Sequence, residues 1–152
     1  MALSESGRVE SSMSVSPHDK KKFGDYVRIH AIDGELITRE DETKILKEAI
    51  TEFGLELNEA RGILLGIAAD HDLALVSAAE RHVDTSLEHV VKKTRISQKG
   101  FGEAATIYAK LTKGRIPEIE IRKRLKEVVL ERGWKPMRTR WLFGSRRWFR
   151  RI

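Results

Sequence analysis

The sequence predicts an all-α fold: a compact bundle of about five core helices, followed by an amphipathic helix at the C-terminus. Three observations predict it. Apolar residues recur at helical spacing through most of the chain, and no stretch alternates with period two for long enough to make a strand. Segment boundaries carry helix punctuation, with Thr, Ser, Asn or Pro before an apolar stripe and Gly after it. The composition agrees: 34% of the 152 residues are charged and 40% hydrophobic, with only three prolines and two tyrosines, few for a β protein.

Residues 1–22 are expected to form a disordered N-terminal arm. Serines crowd it (Ser4, Ser6, Ser11, Ser12, Ser14, Ser16) and its few apolar residues follow no period. The bundle is expected over 23–133. Its first stretch, Phe23 to Ile29, is apolar enough to pack on the body, and both a short helix and an extended arm fit it. The first well-marked helix begins after Thr38, with Asp41 in the capping-box position and Glu40 and Glu42 at the positive end of the dipole. Ile45, Leu46, Ala49, Ile50 and Phe53 form its stripe, and Gly54 stops it. Asn58 is the expected cap of the next helix, through Ile63, Leu64, Ile67 and Ala68. A break near Asp70-His71-Asp72 separates it from a long helix, Leu73 to about Lys93, carrying Leu75, Val76, Ala79, Val83, Leu87, Val90 and Val91. Ser97 caps a helix through Phe101, Ala104, Ala105, Ile107, Tyr108 and Leu111, closed by Gly114. Pro117 opens the last core helix, where its missing N–H costs nothing. Ile121, Leu125, Val128 and Val129 line that helix and Gly133 ends it.

One internal echo stands out: LKEAITEFG (46–54) returns as LKEVVLERG (125–133), each after a glycine turn and an acidic first turn. It suggests a pair of related helical units that close on each other.

Charge is distributed unevenly. The formal net charge is +6, but 134–152 holds seven basic residues (Lys135, Arg138, Arg140, Arg146, Arg147, Arg150, Arg151) and no acidic one. Removing those seven from 29 basic residues leaves 22 against 23 acidic, a nearly neutral body with a cationic tail. No cysteine occurs, which removes disulfides, thiolate metal sites and cysteine nucleophiles and suits a reducing compartment. No apolar run approaches the ~20 residues that cross a bilayer, and the N-terminus lacks the apolar core of a signal peptide. The expected location is the cytoplasm, with peripheral attachment to the inner membrane through the tail.

The stretch AIDGELITREDETKI (31–45) looks like the back half of a calcium loop, with Asp33-Gly34 as its turn and Glu40 as its closing carboxylate. In that register Ile29 and Ala31 fall where the first two oxygen ligands belong, so the loop lacks its entering side. The expectation is a turn at Asp33-Gly34, with Leu36 and Ile37 packing inward before the helix start at Thr38. The same pattern resembles the signature of TerB-like domains, helical domains associated with tellurite resistance. The segment 96–133 is similar to that family's second half. The resemblance covers about 23–133 and implies a helical bundle linked to envelope stress or membrane-associated complexes. The chain departs from the pattern at Lys113-Gly114-Arg115, which has no aspartate, and in its cationic tail.

His71, His82 and His89 lie among Asp70, Asp72, Glu80, Asp84 and Glu88. The seven-residue separation of His82 and His89 sets them two helical turns apart, too far to ligate one metal directly. No metal, cofactor or catalytic constellation is expected, and the glycines of KGFGE lack the strand and the lysine-serine of a phosphate loop. The tail is the sharpest feature. At about 100° per residue, Trp141, Leu142, Ser145, Trp148, Phe149 and Ile152 share one face of a helix, and Arg146, Arg147, Arg150 and Arg151 the other, with Phe143 the single apolar exception. That is the composition of a membrane-surface helix. The expected function is an interaction domain docking on an anionic membrane or an acidic protein, with Lys135, Arg138, Arg140, Trp141, Arg146, Arg147, Trp148, Phe149, Arg150 and Arg151 as its binding residues. A nucleic-acid-binding accessory protein and a type IV secretion substrate with a basic C-terminal signal are the alternatives. A further arrangement folds the aromatic face onto the body and leaves only the arginines in solvent.

Overall fold

The computed structural model describes residues 15–31, 34–138 and 144–152. In chain order these residues form α1 (Pro17–Ala31), β1 (Leu36–Ile37), α2 (Arg39–Thr51), α3 (Leu57–Asp70), β2 (Ala74–Leu75), α4 (Val76–Val90), β3 (Arg95–Ile96), α5 (Gln98–Leu111), α6 (Glu118–Glu131), β4 (Lys135–Pro136) and α7 (Arg147–Arg150). The fold is predominantly α-helical, as the periodicity requires.

The first helix starts earlier than the composition suggested. Pro17 opens α1, so residues 17–22 are helical rather than part of a disordered arm; residues 1–14 lie outside the described residues. Phe23, Gly24, Val27 and Ala31 make its buried stripe, and Lys20 forms an ion pair with Glu59 of α3. The stripe was legible only from Phe23 onward because the first turn, Pro-His-Asp-Lys, is wholly polar.

The two halves repeat one another. Helix, two-residue strand, helix, helix, two-residue strand describes both α1-β1-α2-α3-β2 and α4-β3-α5-α6-β4. In each half the strands pair in parallel, Leu36 with Ala74 and Ile37 with Leu75, then Arg95 with Lys135 and Ile96 with Pro136. Burial follows the repeat. Ile45, Leu46 and Ala49 of α2 correspond at one sequence offset to Ala104, Ala105 and Tyr108 of α5, all buried. Ala60, Leu64 and Ala68 of α3 correspond to Ile121, Leu125 and Val129 of α6, again all buried. The echo between 46–54 and 125–133 therefore joins α2 to α6, which occupy different places in their units. Its shared residues reflect the common needs of a helix that stops at a left-handed glycine, since Gly54 and Gly133 have φ of 64° and 67°. The short strands were invisible to a period-two search because two residues have no period.

Caps follow the sequence closely at two starts. Thr38 accepts from Asp41 N and Asp41 answers back to Thr38 N, a complete capping box. The Ser97 hydroxyl accepts from Gly100 N at 3.0 Å. Gly100 also lets α5 lie close against the end of α4, because an added Cβ would stand 3.0 Å from the Val90 Cβ. Asn58 is not a cap; α3 begins one residue before it, after Glu56.

Two apolar clusters divide along the repeat. Phe23, Val27, Ile37, Ile45, Leu46, Leu64 and Leu75 belong to the first, and Val83, Leu87, Ile96, Phe101, Leu125, Val129 and Phe149 to the second. Ion pairs bridge the halves: Arg39 of α2 with Glu80 of α4, Lys113 with Asp72, and Arg115 with Glu35.

The C-terminal segment is part of the second core rather than a separate tail. Trp134 packs on it, Phe149 is 6% exposed, and Trp148 and Ile152 pack beside it. Among the described residues only Arg147–Arg150 is helical where a helix over 141–152 was expected. Trp148 and Phe149 both meet Phe101 edge to face, at 5.6 and 6.1 Å between centroids, and the Trp148 Nε1–H donates to the Met137 carbonyl at 3.1 Å. A helix with Gly144 in its first turn has little stability of its own, whereas burying two aromatic side chains stabilises the folded-back arrangement.

Candidate polyanion-binding surface

The surface begins at the turn between α4 and β3. Lys92 N–H donates to the Arg95 carbonyl and Arg95 N–H to the Lys92 carbonyl, both at 2.9 Å, closing a two-residue hairpin. Lys93 and Thr94 at its tip have φ of 48° and 61°. The parallel pairing then brings in β4: Lys135 N–H donates to the Thr94 carbonyl at 2.8 Å and Met137 N–H to the Ile96 carbonyl at 2.7 Å. Arg138 follows directly, and Met137 in turn receives Trp148 of α7. Phe101, one turn into α5, anchors α7 against the same end of the second repeat.

Two stretches far apart in sequence thus meet. Residues 92–99 carry Lys92, Lys93, Arg95 and Lys99 without an acidic residue, and 134–152 carries seven basic residues without one. The side chains of Lys92, Lys93, Arg95, Lys99, Lys135, Arg138, Arg146, Arg147, Arg150 and Arg151 are all exposed. Among the described residues, Lys99 alone of these ten stands near a carboxylate, Glu103 at 3.8 Å. Several arginines on α6 and at its end are by contrast paired with carboxylates: Arg122 with Glu118, Arg124 with Glu80 and Glu127, Arg132 with Glu88. Uncompensated like charge held on a folded scaffold is a focused positive potential.

The residues read from the sequence divide in two. Lys135, Arg138, Arg146, Arg147, Arg150 and Arg151 are exposed. Phe149 is buried in the second core, and Trp148 packs against it while staying partly exposed. Arg140 and Trp141 lie outside the described residues. The sequence reading missed Lys92, Lys93, Arg95 and Lys99. The signal was present as an acid-free basic run, but its nearness to the tail depends on the β3–β4 pair.

The other polar features serve the fold. Glu80, 12% exposed, receives Arg39, Arg124 and the Tyr108 hydroxyl, the last at 3.3 Å. Burial, reinforced by the Glu80 charge and hydrogen bond, pushes the Tyr108 phenol up to about 12. The Arg124 guanidinium is held above its ordinary value, chiefly by its hydrogen bond to Glu127. His71, His82 and His89 are exposed, and among the described residues no three His, Asp or Glu side chains gather as metal ligands do. In the 31–45 stretch Glu35 pairs with Arg115, and Asp41 is occupied by the capping box. Leu36 and Ile37 pair with β2, and Ile37 packs inward in the first core. No helix among the described residues is long and apolar enough to cross a membrane.

Family models, curated proteins and solved structures were all compared with the chain, and none matches it.

Proposed function

We propose that this protein is an interaction module that docks on the phosphate backbone of a nucleic-acid duplex through the basic end of its second repeat. The observation that carries the reading is the meeting of 92–99 with the C-terminal segment across β3 and β4, which gathers ten exposed cations with one nearby carboxylate. Six of the ten are arginines, whose planar fork suits phosphate oxygens. The burial of Phe149 and the packing of Trp148 and Ile152 weigh against a membrane helix, which needs those side chains for the bilayer. They weigh equally against a single strand, which needs aromatic faces for stacking. The exposed cations on this surface suit electrostatic recognition of regularly spaced phosphates. The likeness of 23–133 to TerB-like domains belongs to the same proposal, as a helical scaffold carrying an interaction surface.

The test is binding of the full chain to a duplex oligonucleotide and to anionic vesicles, compared with R146Q/R147Q/R150Q/R151Q. Truncation of 134–152 is unsuitable because it removes β4 and Phe149. Duplex binding that weakens at least about tenfold in the variant and falls steeply with salt is the expected result. Binding to vesicles without binding to the duplex, or equal duplex binding by both proteins, overturns the reading.

A further inference from the structure

The turn between α4 and β3 is built at a conformational cost that a simple charge display does not require. A two-residue hairpin with positive φ at both central positions is the type I′ turn, for which Asn-Gly is the favoured pair. Here the pair is Lys93-Thr94. Lysine is uncommon at positive φ, and a β-branched residue there is an outlier. The Thr94 hydroxyl donates to the Lys93 carbonyl at 2.6 Å, so it steadies the tip rather than reaching outward. The first repeat supplies an internal comparison. At the sequence offset that relates β1 to β3, its residues are Asp33, Gly34, Glu35 and Leu36, where the second repeat has Lys92, Lys93, Thr94 and Arg95. Where the first repeat has a glycine and two carboxylates, the second has a charged tip with both central residues at positive φ.

Backbone strain persists where geometry is used. An Asn-Gly turn between Lys92 and Arg95 would still offer two charges to a flat array of phosphates. A lysine at the apex adds something only if the apex itself is received by a concavity of negative potential. On a duplex that concavity is a groove, deepest in potential where A·T runs narrow the minor groove. We propose that the Lys92–Arg95 turn is the element that enters the minor groove of duplex DNA, with Lys93 foremost, while Lys135, Arg138 and the α7 arginines hold the flanking phosphates. The proposal rests on the nucleic-acid reading above and adds to it a specific groove and a preference for narrow sites.

The experiment measures binding of the full chain to two duplexes of equal length, one with a central A-tract and one of mixed sequence. The proteins are wild type, K93N/T94G, K93Q and R146Q. Wild type is expected to bind the A-tract duplex several-fold more tightly. K93N/T94G is expected to melt at a higher temperature, because it relieves the turn, yet to lose that preference, and K93Q to lose it with Thr94 in place. R146Q is expected to weaken binding to both duplexes equally. Equal binding of both duplexes by wild type, or a preference that survives in K93N/T94G and K93Q, overturns the groove assignment and leaves the phosphate reading standing. Failure of wild type to bind either duplex overturns both.

Discussion

Ser77 sits in the first turn of α4 with its hydroxyl buried and without a hydrogen-bond partner among the described residues. A buried unsatisfied hydroxyl is a net cost, so Ser77→Ala should stabilise the fold by about 1 kcal/mol in chemical denaturation; destabilisation would mean that the hydroxyl has a partner after all. Tyr108 makes a pH prediction. Its neutral form is favoured in the folded state, where its pKa is pushed up to about 12, against about 10 for an unfolded tyrosine. The corresponding stability is present below pH ~10 and is lost as pH rises towards ~12. Tyr108→Phe should flatten that alkaline decline, and a decline of unchanged steepness would point to other groups. At this scale much was legible. Thr38, Asp41 and Ser97 announce their roles because capping depends on local spacing alone. Glu80 did not, because its partners Arg39, Tyr108 and Arg124 come from three other helices.

At the scale of elements, the helices were readable from their apolar stripes, and the glycines at 54, 114 and 133 mark their ends with φ of 64°, 67° and 67°. The strands were not readable, and neither was the fate of the C-terminal segment. Among the described residues its sidedness holds: Phe149 lies inward and Arg146, Arg147, Arg150 and Arg151 outward. Its target was not, because an amphipathic segment carries no record of which apolar surface it covers. Phe149→Ala tests the docking of α7. The side chain is 6% exposed and packs on Phe101, with the Lys126 ammonium 5.5 Å from its ring centroid. The expected loss is about 3–5 kcal/mol, the range for a large aromatic removed from a core. The neighbouring exposed Arg150→Ala should change stability by no more than about 0.5 kcal/mol. Equal, small effects from both would mean that α7 is not held on the body.

At the scale of the molecule, two similarly arranged halves with separate apolar clusters are joined by the chain entering α4 and by polar contacts centred on Glu80, Asp72 and Glu35. Their charges have diverged: the α2 start carries Glu40, Asp41 and Glu42, whereas the corresponding α5 start carries Lys99 and no acid in its first turn. The sequence made the cationic C-terminus plain but presented it as an isolated tail on a neutral body. The fold makes it half of a surface whose other half is 92–99. The most direct measurement of that claim is the slope of log binding constant against log salt for a duplex oligonucleotide. It should be taken for wild type, for K92Q/K93Q/R95Q, for R146Q/R147Q/R150Q/R151Q, and for the combined variant. Each lost phosphate contact should lower the slope by about 0.9. If both groups face one polyanion, each set of substitutions reduces the slope and the combined variant shows the two reductions added. A slope that either set leaves at the wild-type value contradicts a single basic surface.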